Sequence, residues 1–366
     1  MFQPRFGVAW DVNGDGRQVV RGSAGQYFAR VPGLNLASSR STNGSIGQTI
    51  FRNSALIPVL GPPPAYDELL PSPSGDPFRP DVFVFDRDFR NPRTRSASLG
   101  YERELPGAVA ASVSYTYAAT DFLTRFVDRN AAVFGNPFST GIGEGGANGV
   151  GVLTTVESTA KSRYSGVTLG LRRTANPGLQ FDVNYTLSSD KSDDDNERDP
   201  FVFRYARADR LDREYGYSDR DQRHRFNLWL LAKLPLAVYM NNRFSAASAQ
   251  PTSEKCGANN QGTGERAASP SERICLDAAG TPTGVILQRN TIRRDNAFAS
   301  WDVRFSRAFP VAGRGQVEGI IEVFNVLNRD NFRDPSANSL LFNFDGTIRS
   351  GLGDPRQVQA GVRYSF

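Results

Sequence analysis

Histidine is nearly absent from this chain: among 366 residues, His224 stands alone. Cysteine and methionine occur twice each, and the densest apolar run, Leu228 to Ala232, is short. Each shortage excludes something. Two cysteines and one histidine cannot fill a zinc site of ordinary spacing. A Ser-His-Asp hydrolase would have to use His224, which in the segment RHRF shares the phase of Phe226 and Leu228. That apolar phase is a poor place for a general base, and no acid, base and nucleophile converge elsewhere, so no enzymatic activity is expected. No run approaches the roughly 20 apolar residues a membrane helix needs. Hydrophobic residues are only 39% of the chain, too few for a thick soluble core. The opening MFQPRFGVAW lacks a basic region, apolar centre and cleavage site, and so does not read as a secretory signal.

What the chain does have is aromatics, 11% of residues with 25 Phe and 12 Tyr, together with a formal charge of +5. The basic residues are Arg-dominated and spread along the sequence rather than gathered in a patch, which argues against a nucleic-acid partner. Cys256 and Cys275 fall in one polar stretch rich in Gly, Ser and Asn. A local disulfide there would imply an oxidising compartment, and two free thiols are the alternative.

The dominant pattern is alternation. In the last segment, PRQVQAGVRYSF, the residues Val358, Ala360, Val362, Tyr364 and Phe366 share one strand face, and Gln357, Gln359, Gly361, Arg363 and Ser365 share the other. The same period of two recurs at Phe6, Val8 and Trp10, at Ala97, Leu99 and Tyr101, and at Val109 to Tyr117. It continues at Val167 to Leu171, Phe181 to Leu187, Phe226 to Leu230, Val238 with Met240, Trp301 to Phe305, and Gln316 to Leu327. Short turns such as DVNGDG, ERELPG, TANPG, Leu234-Pro235 and PVAGRG alternate with long polar connections, at about Arg30 to Pro92, Asp121 to Ser162, Asp190 to Gln222, the cysteine stretch, and Asn328 to Asp354. The expected fold is all-β: an antiparallel up-and-down transmembrane β-barrel, partial, with about eleven strands, short periplasmic turns and long extracellular loops.

Candidate sites are few. DVNGDG, with Asp11, Asn13, Asp15 and Gly16, matches half of a calcium loop, but Gly22 stands where the bidentate Glu belongs, so a hairpin turn is the better reading. The run holding Asp190, Asp193, Asp194, Asp195, Glu197 and Asp199 is either a solvated surface or a weak calcium site centred on Asp193, Asp194 and Asp195. The glycine-rich GIGEGGANGVG lacks the GxxxxGK[ST] spacing of a phosphate cradle. No cofactor is implied. Asp302, Arg304, Glu318, Glu322 and Arg363 share the polar phase of three neighbouring strands and are expected to form a lumenal network of structural ion pairs.

The last strand resembles the carboxy-terminal assembly signal of bacterial outer-membrane barrels, carried here by Val362, Tyr364 and Phe366. Together with PRFGVAWDVNGDGRQVVRGSAGQYFAR, NPRTRSASLGYERELPG, YSGVTLGLRR, FDVNYTLSSD, DRDQRHRFNLWLLAKLP and IIEVFNVLNRDNF, it makes the chain resemble a TonB-dependent receptor barrel, most closely the Oar-like branch. The resemblance implies a barrel of roughly 22 strands closed by a plug, in the outer membrane of a Gram-negative bacterium, taking up a scarce nutrient of siderophore, glycan or peptide class. Its implied partners are outer-membrane lipid, the barrel assembly machinery, and a TonB-type energy transducer acting through the plug. On this reading residues 1–366 are the carboxy-terminal half of such a receptor, without signal peptide, plug or amino-terminal barrel, and do not transport alone. The competing expectations are another outer-membrane barrel, a porin or autotransporter translocator, or a soluble surface β-protein that binds glycans.

Overall fold

A computed structural model of the chain describes residues 1–43, 81–135, 137, 150–176, 178–196, 203–254, 256, 273–293, 297–311, 315–331 and 355–366. Seventeen strands are present among them: β1 (Arg5–Asp11), β2 (Gln18–Phe28), β3 (Val82–Phe85), β4 (Arg93–Leu105), β5 (Val109–Asp128), β6 (Leu153–Arg173), β7 (Leu179–Ser192), β8 (Gly216–Tyr217), β9 (His224–Lys233), β10 (Tyr239–Ala247), β11 (Pro251–Thr252), β12 (Ile274–Leu276), β13 (Pro282–Ile286), β14 (Ile292–Arg293), β15 (Phe298–Pro310), β16 (Gln316–Phe324) and β17 (Gln357–Ser365). One short helix, α1 (Gly33–Ser41), follows β2.

Eleven of these strands form one meander in the order β1-β2-β4-β5-β6-β7-β9-β10-β15-β16-β17, every neighbour antiparallel, with β3 and β8 attached to β6 and β7. The sheet is open, with β1 and β17 at its two ends. The count and the up-and-down topology are those expected from the alternation.

The register aligns the alternating residues of every strand into two continuous faces. Trp10 lies opposite Val20, Val20 opposite Tyr101, Tyr101 opposite Val113, Val113 opposite Leu169, and Leu169 opposite Tyr185. The same face continues through Phe226, Phe244, Trp301, Val303, Val323 and Val358. The other face carries Ser98, Thr116, Thr168, Thr186, Asn227, Ser245 and Asp302, with Ser23 and Ser98 hydrogen-bonded across the ladder at 2.7 Å, and Thr168 and Thr186 at 2.9 Å. A one-residue slip anywhere would exchange the faces, so the apolar pattern fixes the register.

All five short connections lie at one end of the sheet and all five long ones at the other. At the first turn the Asp11 carboxylate accepts from the backbone N–H of Gly14 at 3.0 Å and of Gly16 at 2.7 Å. Both glycines sit at φ +73°, a conformation that favours residues without Cβ. DVNGDG is therefore a hairpin turn whose carboxylate is already satisfied by backbone.

The long connections are more structured than their composition suggests. The segment expected as a loop from Asp121 to Ser162 is instead largely strand, since β5 runs to Asp128 and β6 starts at Leu153. A bulge between Thr120 and Leu123, with Phe122 at φ +63°, breaks the alternation there. Beyond it the hairpin buries both faces, which erases the period of two that marks a half-buried strand. The stretch expected as loop from Arg30 to Pro92 contains α1 and β3, the latter pairing in parallel with β6. The Asp190 to Gln222 connection likewise loses its first residues to β7 and contains β8. Phe83, Phe126 and Val156 make one small core in this region, and Val127, Tyr205 and Ala208 make another. The packed interior thus lies in the projecting loops, while the meander leaves large apolar residues such as Phe6, Leu99 and Ile321 exposed on one face.

Candidate functional site

At the loop end, two distant connections are laced together by arginines. The connection after β7 supplies the carboxylates Asp195, Glu214 and Asp221; the one after β10 supplies Arg273, Arg289 and Arg293. Arg273 donates to Glu214 Oε2 at 2.6 Å, with both side chains almost wholly buried. Arg289 pairs with Asp195, and Arg293 with Asp221. Asn290 extends the seam, donating through Nδ2 to the Tyr217 carbonyl and to Asp219 Oδ1, each at 2.7 Å. The planar guanidinium suits this task because it offers several donors in a fixed fork and remains charged when buried. Cys256 and Cys275 form a disulfide within the same connection, and Cys275 is two residues from Arg273.

A third element joins from β5. On its projecting part, Arg125 lies 3.0 Å from Asp193 and 3.4 Å from Asp194. Burial pushes the Asp194 carboxyl up to about 7, with Arg125 offsetting only part of that cost. Burial acts on Asp195 in the same sense, but the Arg289 charge outweighs it with hydrogen bonds from Ser192 Oγ, Ser218 Oγ and the Asp219 N–H. The Asp195 carboxyl is held below its ordinary range. The calcium reading of Asp193, Asp194 and Asp195 is thereby corrected: their oxygens face guanidinium groups, which a cation would have to displace. Glu197 and Asp199 of the same run lie outside the described residues. Among the described residues no three His, Cys, Asp or Glu side chains converge as a metal site.

The polar face of the sheet carries a second arrangement. Arg304 lies 3.7 Å from Glu318 and 3.6 Å from Glu322, and Gln359 donates to Glu322 at 2.5 Å. Arg363 stands opposite Glu318 in register. Asp302 differs from the expected ion-pair role: it accepts from Ser300 Oγ at 3.0 Å and from the Asn325 N–H at 2.9 Å, securing the chain as it leaves β16. Further along, Asp182, Asn184, Trp229 and Arg243 line a recess of about 360 Å³. His224 lies on the apolar face, its Nδ1 hydrogen-bonded to the Tyr185 hydroxyl at 2.7 Å.

A continuous apolar outer face, a polar inner face and one-sided long loops are the features of a membrane barrel wall. Residues 1–252 match the family model described as outer membrane beta barrel domain. The chain belongs to that family. No curated protein matches the chain by sequence. The outer membrane transporter YddB from Escherichia coli superposes with a TM-score of 0.56 at 11% identity, covering 98% of this chain and 40% of YddB. The FrpB iron transporter from Neisseria meningitidis gives a TM-score of 0.50 at 13% identity, covering 98% of this chain and 38% of FrpB. The likeness is one of fold, that of larger outer-membrane transporter barrels, and the chain spans about two-fifths of those structures.

This outer-membrane barrel segment therefore sits in the outer membrane of a Gram-negative bacterium, with its apolar face to lipid, its polar face to the lumen, its short turns periplasmic and its laced loops outside. Val362, Tyr364 and Phe366 end the lipid-facing side of β17, and the Tyr364 and Phe366 rings stack at 5.9 Å. The seam of arginines and carboxylates was not legible in the sequence. The acidic run was visible, but nothing local to it marks Arg125, Arg273, Arg289 or Arg293 as its partners.

Proposed function

We propose that this barrel segment is the carboxy-terminal barrel portion of a TonB-dependent receptor of the Oar-like branch, which takes up a scarce nutrient with energy supplied through a plug domain. The observation that carries this reading is the open meander ended by β1 and β17, whose fold covers two-fifths of each larger outer-membrane transporter. Strand edges carry unpaired backbone groups, which in a membrane must be satisfied by further strands. The laced outer loops support a ligand-receiving role: a rim held rigid by buried ion pairs presents the same surface to each incoming molecule at little ordering cost. On this reading the segment does not transport alone, its partners are the rest of the barrel, the plug, the barrel assembly machinery and the energy transducer, and it has no catalytic role. One structural neighbour is an iron transporter, so an iron chelate is the first of the siderophore, glycan and peptide classes to test.

The test is an immunoblot of outer membranes with an antibody to the loop at residues 203–223, followed by uptake measurements. The reading requires a species well above 40.1 kDa and uptake that stops when the energy transducer is deleted. A species of 40.1 kDa, or uptake indifferent to the transducer, overturns it.

A further inference from the structure

At mid-strand, the lumen side of the sheet holds an arginine and a tryptophan that no neighbour engages. In register, Arg172 of β6 stands opposite Asp182 of β7, Asp182 opposite Trp229 of β9, Trp229 opposite Arg243 of β10, and Arg243 opposite Asp302 of β15. Both carboxylates of this row are occupied elsewhere: Asp182 accepts from Asn184 Nδ2 at 2.5 Å, and Asp302 accepts from Ser300 Oγ and the Asn325 N–H. Arg243 is exposed and makes no ion pair among the described residues, in contrast to Arg304, which two glutamates flank. Trp229 keeps 37% of its surface open, and its indole N–H makes no hydrogen bond among the described residues.

The recess of about 360 Å³ beside these two side chains exists because its neighbours are short. Asn184 stands opposite Gly170, and Asn227 opposite Ser245, which in turn stands opposite Ser300. A Cβ on Gly170 would lie 3.2 Å from Asn184 Oδ1, so a larger residue there would crowd the amide. The volume is that of a small-molecule site, and the lining has a definite chemistry. Asn184, Asn227 and Ser245 both donate and accept hydrogen bonds, Asp182 accepts, and Arg243 donates. One flat indole, that of Trp229, stands in register between the two charges.

We propose that this recess binds a sugar ring bearing a carboxylate, as a subsite for an acidic glycan on the lumen wall; the inference rests on the uptake reading above and selects its glycan class. A pyranose ring has an apolar C–H face that lies flat on an indole, and a rim of hydroxyls that donate and accept. Trp229 matches the first, and the surrounding amides, hydroxyl and carboxylate match the second. The carboxylate of the ring meets the Arg243 guanidinium through paired, charge-assisted hydrogen bonds. A ligand poor in hydroxyls would strip water from Asn184, Asn227 and Ser245 without replacing its hydrogen bonds.

The experiment uses the protein purified in detergent from outer membranes, as the cell makes it, titrated calorimetrically with galacturonic acid trimer and, separately, with its methyl ester, which keeps the rings and masks the carboxylates. The acid is expected to bind and the ester to bind at least about tenfold more weakly. Arg243→Gln should bring the acid down to the level of the ester and leave the ester unchanged, whereas Trp229→Leu should weaken both forms. Arg21→Gln, which removes another exposed arginine of the lumen face, on β2, should change neither. No binding of the acid, equal binding of the two forms, or a drop in both on Arg243→Gln overturns the proposal. So does an equal loss in Arg21→Gln, which would make the preference a property of the lumen's charge at large. If Trp229→Leu instead opens the lumen to added protease, the recess is packed by a domain of the protein itself, and the glycan assignment falls. Binding is read without the energy transducer, so its failure leaves the uptake reading to the transducer test, and failure of that reading leaves the binding result standing.

Discussion

Arg273 and Glu214, 59 residues apart in sequence, meet through a 2.6 Å hydrogen bond with 2% and 1% of their side chains exposed. Each is also tied to its own connection: Arg273 donates to the Leu287 carbonyl at 3.1 Å, and Glu214 Oε1 accepts from the Ala206 N–H at 2.9 Å. The pair is therefore a rivet between two loops, each side of which is already folded around it.

Removing one partner strands the other. Arg273→Ala is expected to cost about 3–5 kcal/mol of local stability, because the Glu214 carboxylate stays buried without its cation. The double variant Arg273→Met/Glu214→Leu should cost far less, since no uncompensated charge remains. Amide hydrogen exchange over residues 205–215 reads the difference. Comparable deprotection in both variants would show that the loops are held by something other than this pair.

Asp194 gives the seam a pH dependence of definite sign. Its carboxyl titrates near 7 in the folded loop and near 3.8 when unfolded. Between those values the folded state holds a proton that the unfolded state has released, so stability falls as pH rises through the window. Asp195 acts oppositely: its depressed value gives a contribution present at neutral pH and lost as pH falls below the ordinary carboxylate range. Asp194→Asn should abolish the loss between about pH 4 and pH 7 while leaving Arg125 its contact with Asp193. Calorimetric melting of wild type and variant at the two pH values checks this, and a slope of the same size in both would remove Asp194 from the account.

The contrast between the sheet and its loops explains what could be read beforehand. Strands such as Val109 to Tyr117 were legible because each sits between lipid and lumen, and a half-buried strand writes its environment into every second residue. The turns were legible because Asp11, Gly14 and Gly16 satisfy a tight local geometry that few residue types allow. The outer part of β5 was not, because Leu123 to Val127 are buried on both sides and lose the period. The partners of Asp193, Asp194 and Asp195 were hidden for a different reason. Arg125 and Arg289 lie far from them in sequence, and pairing at that distance leaves no local pattern.

The disulfide closes a loop with a sequence separation of 19 beside the Arg273 rivet. By the chain-entropy argument such a closure contributes about 3 kcal/mol. Cys256→Ser/Cys275→Ser should therefore weaken the connection after β10 without touching the meander, whose ladder makes no use of it. The expected result is faster proteolysis between β10 and β15 with unchanged far-ultraviolet circular dichroism. Loss of strand signal would mean that the loop contributes to barrel formation itself.

The assignment of faces is most sharply tested by two adjacent residues. Ile320 and Ile321 have the same side chain and the same strand, and the register alone separates them: Ile321 stands between Phe305 and Ala360 on the lipid side, Ile320 between Ser306 and Gly361 on the lumen side. A lysine at 321 would carry its charge into hydrocarbon near mid-strand, at a cost of about 2–4 kcal/mol. At 320 the same charge would share its face with Glu318 and Glu322, two residues away on either side, whose carboxylates now share the single Arg304. Ile321→Lys is thus expected to lower clearly the urea midpoint of the protein in isolated outer membranes, and Ile320→Lys to leave it nearly unchanged. Equal losses in the two variants would falsify the phase on which the lipid and lumen assignments and the Arg304 cluster all depend.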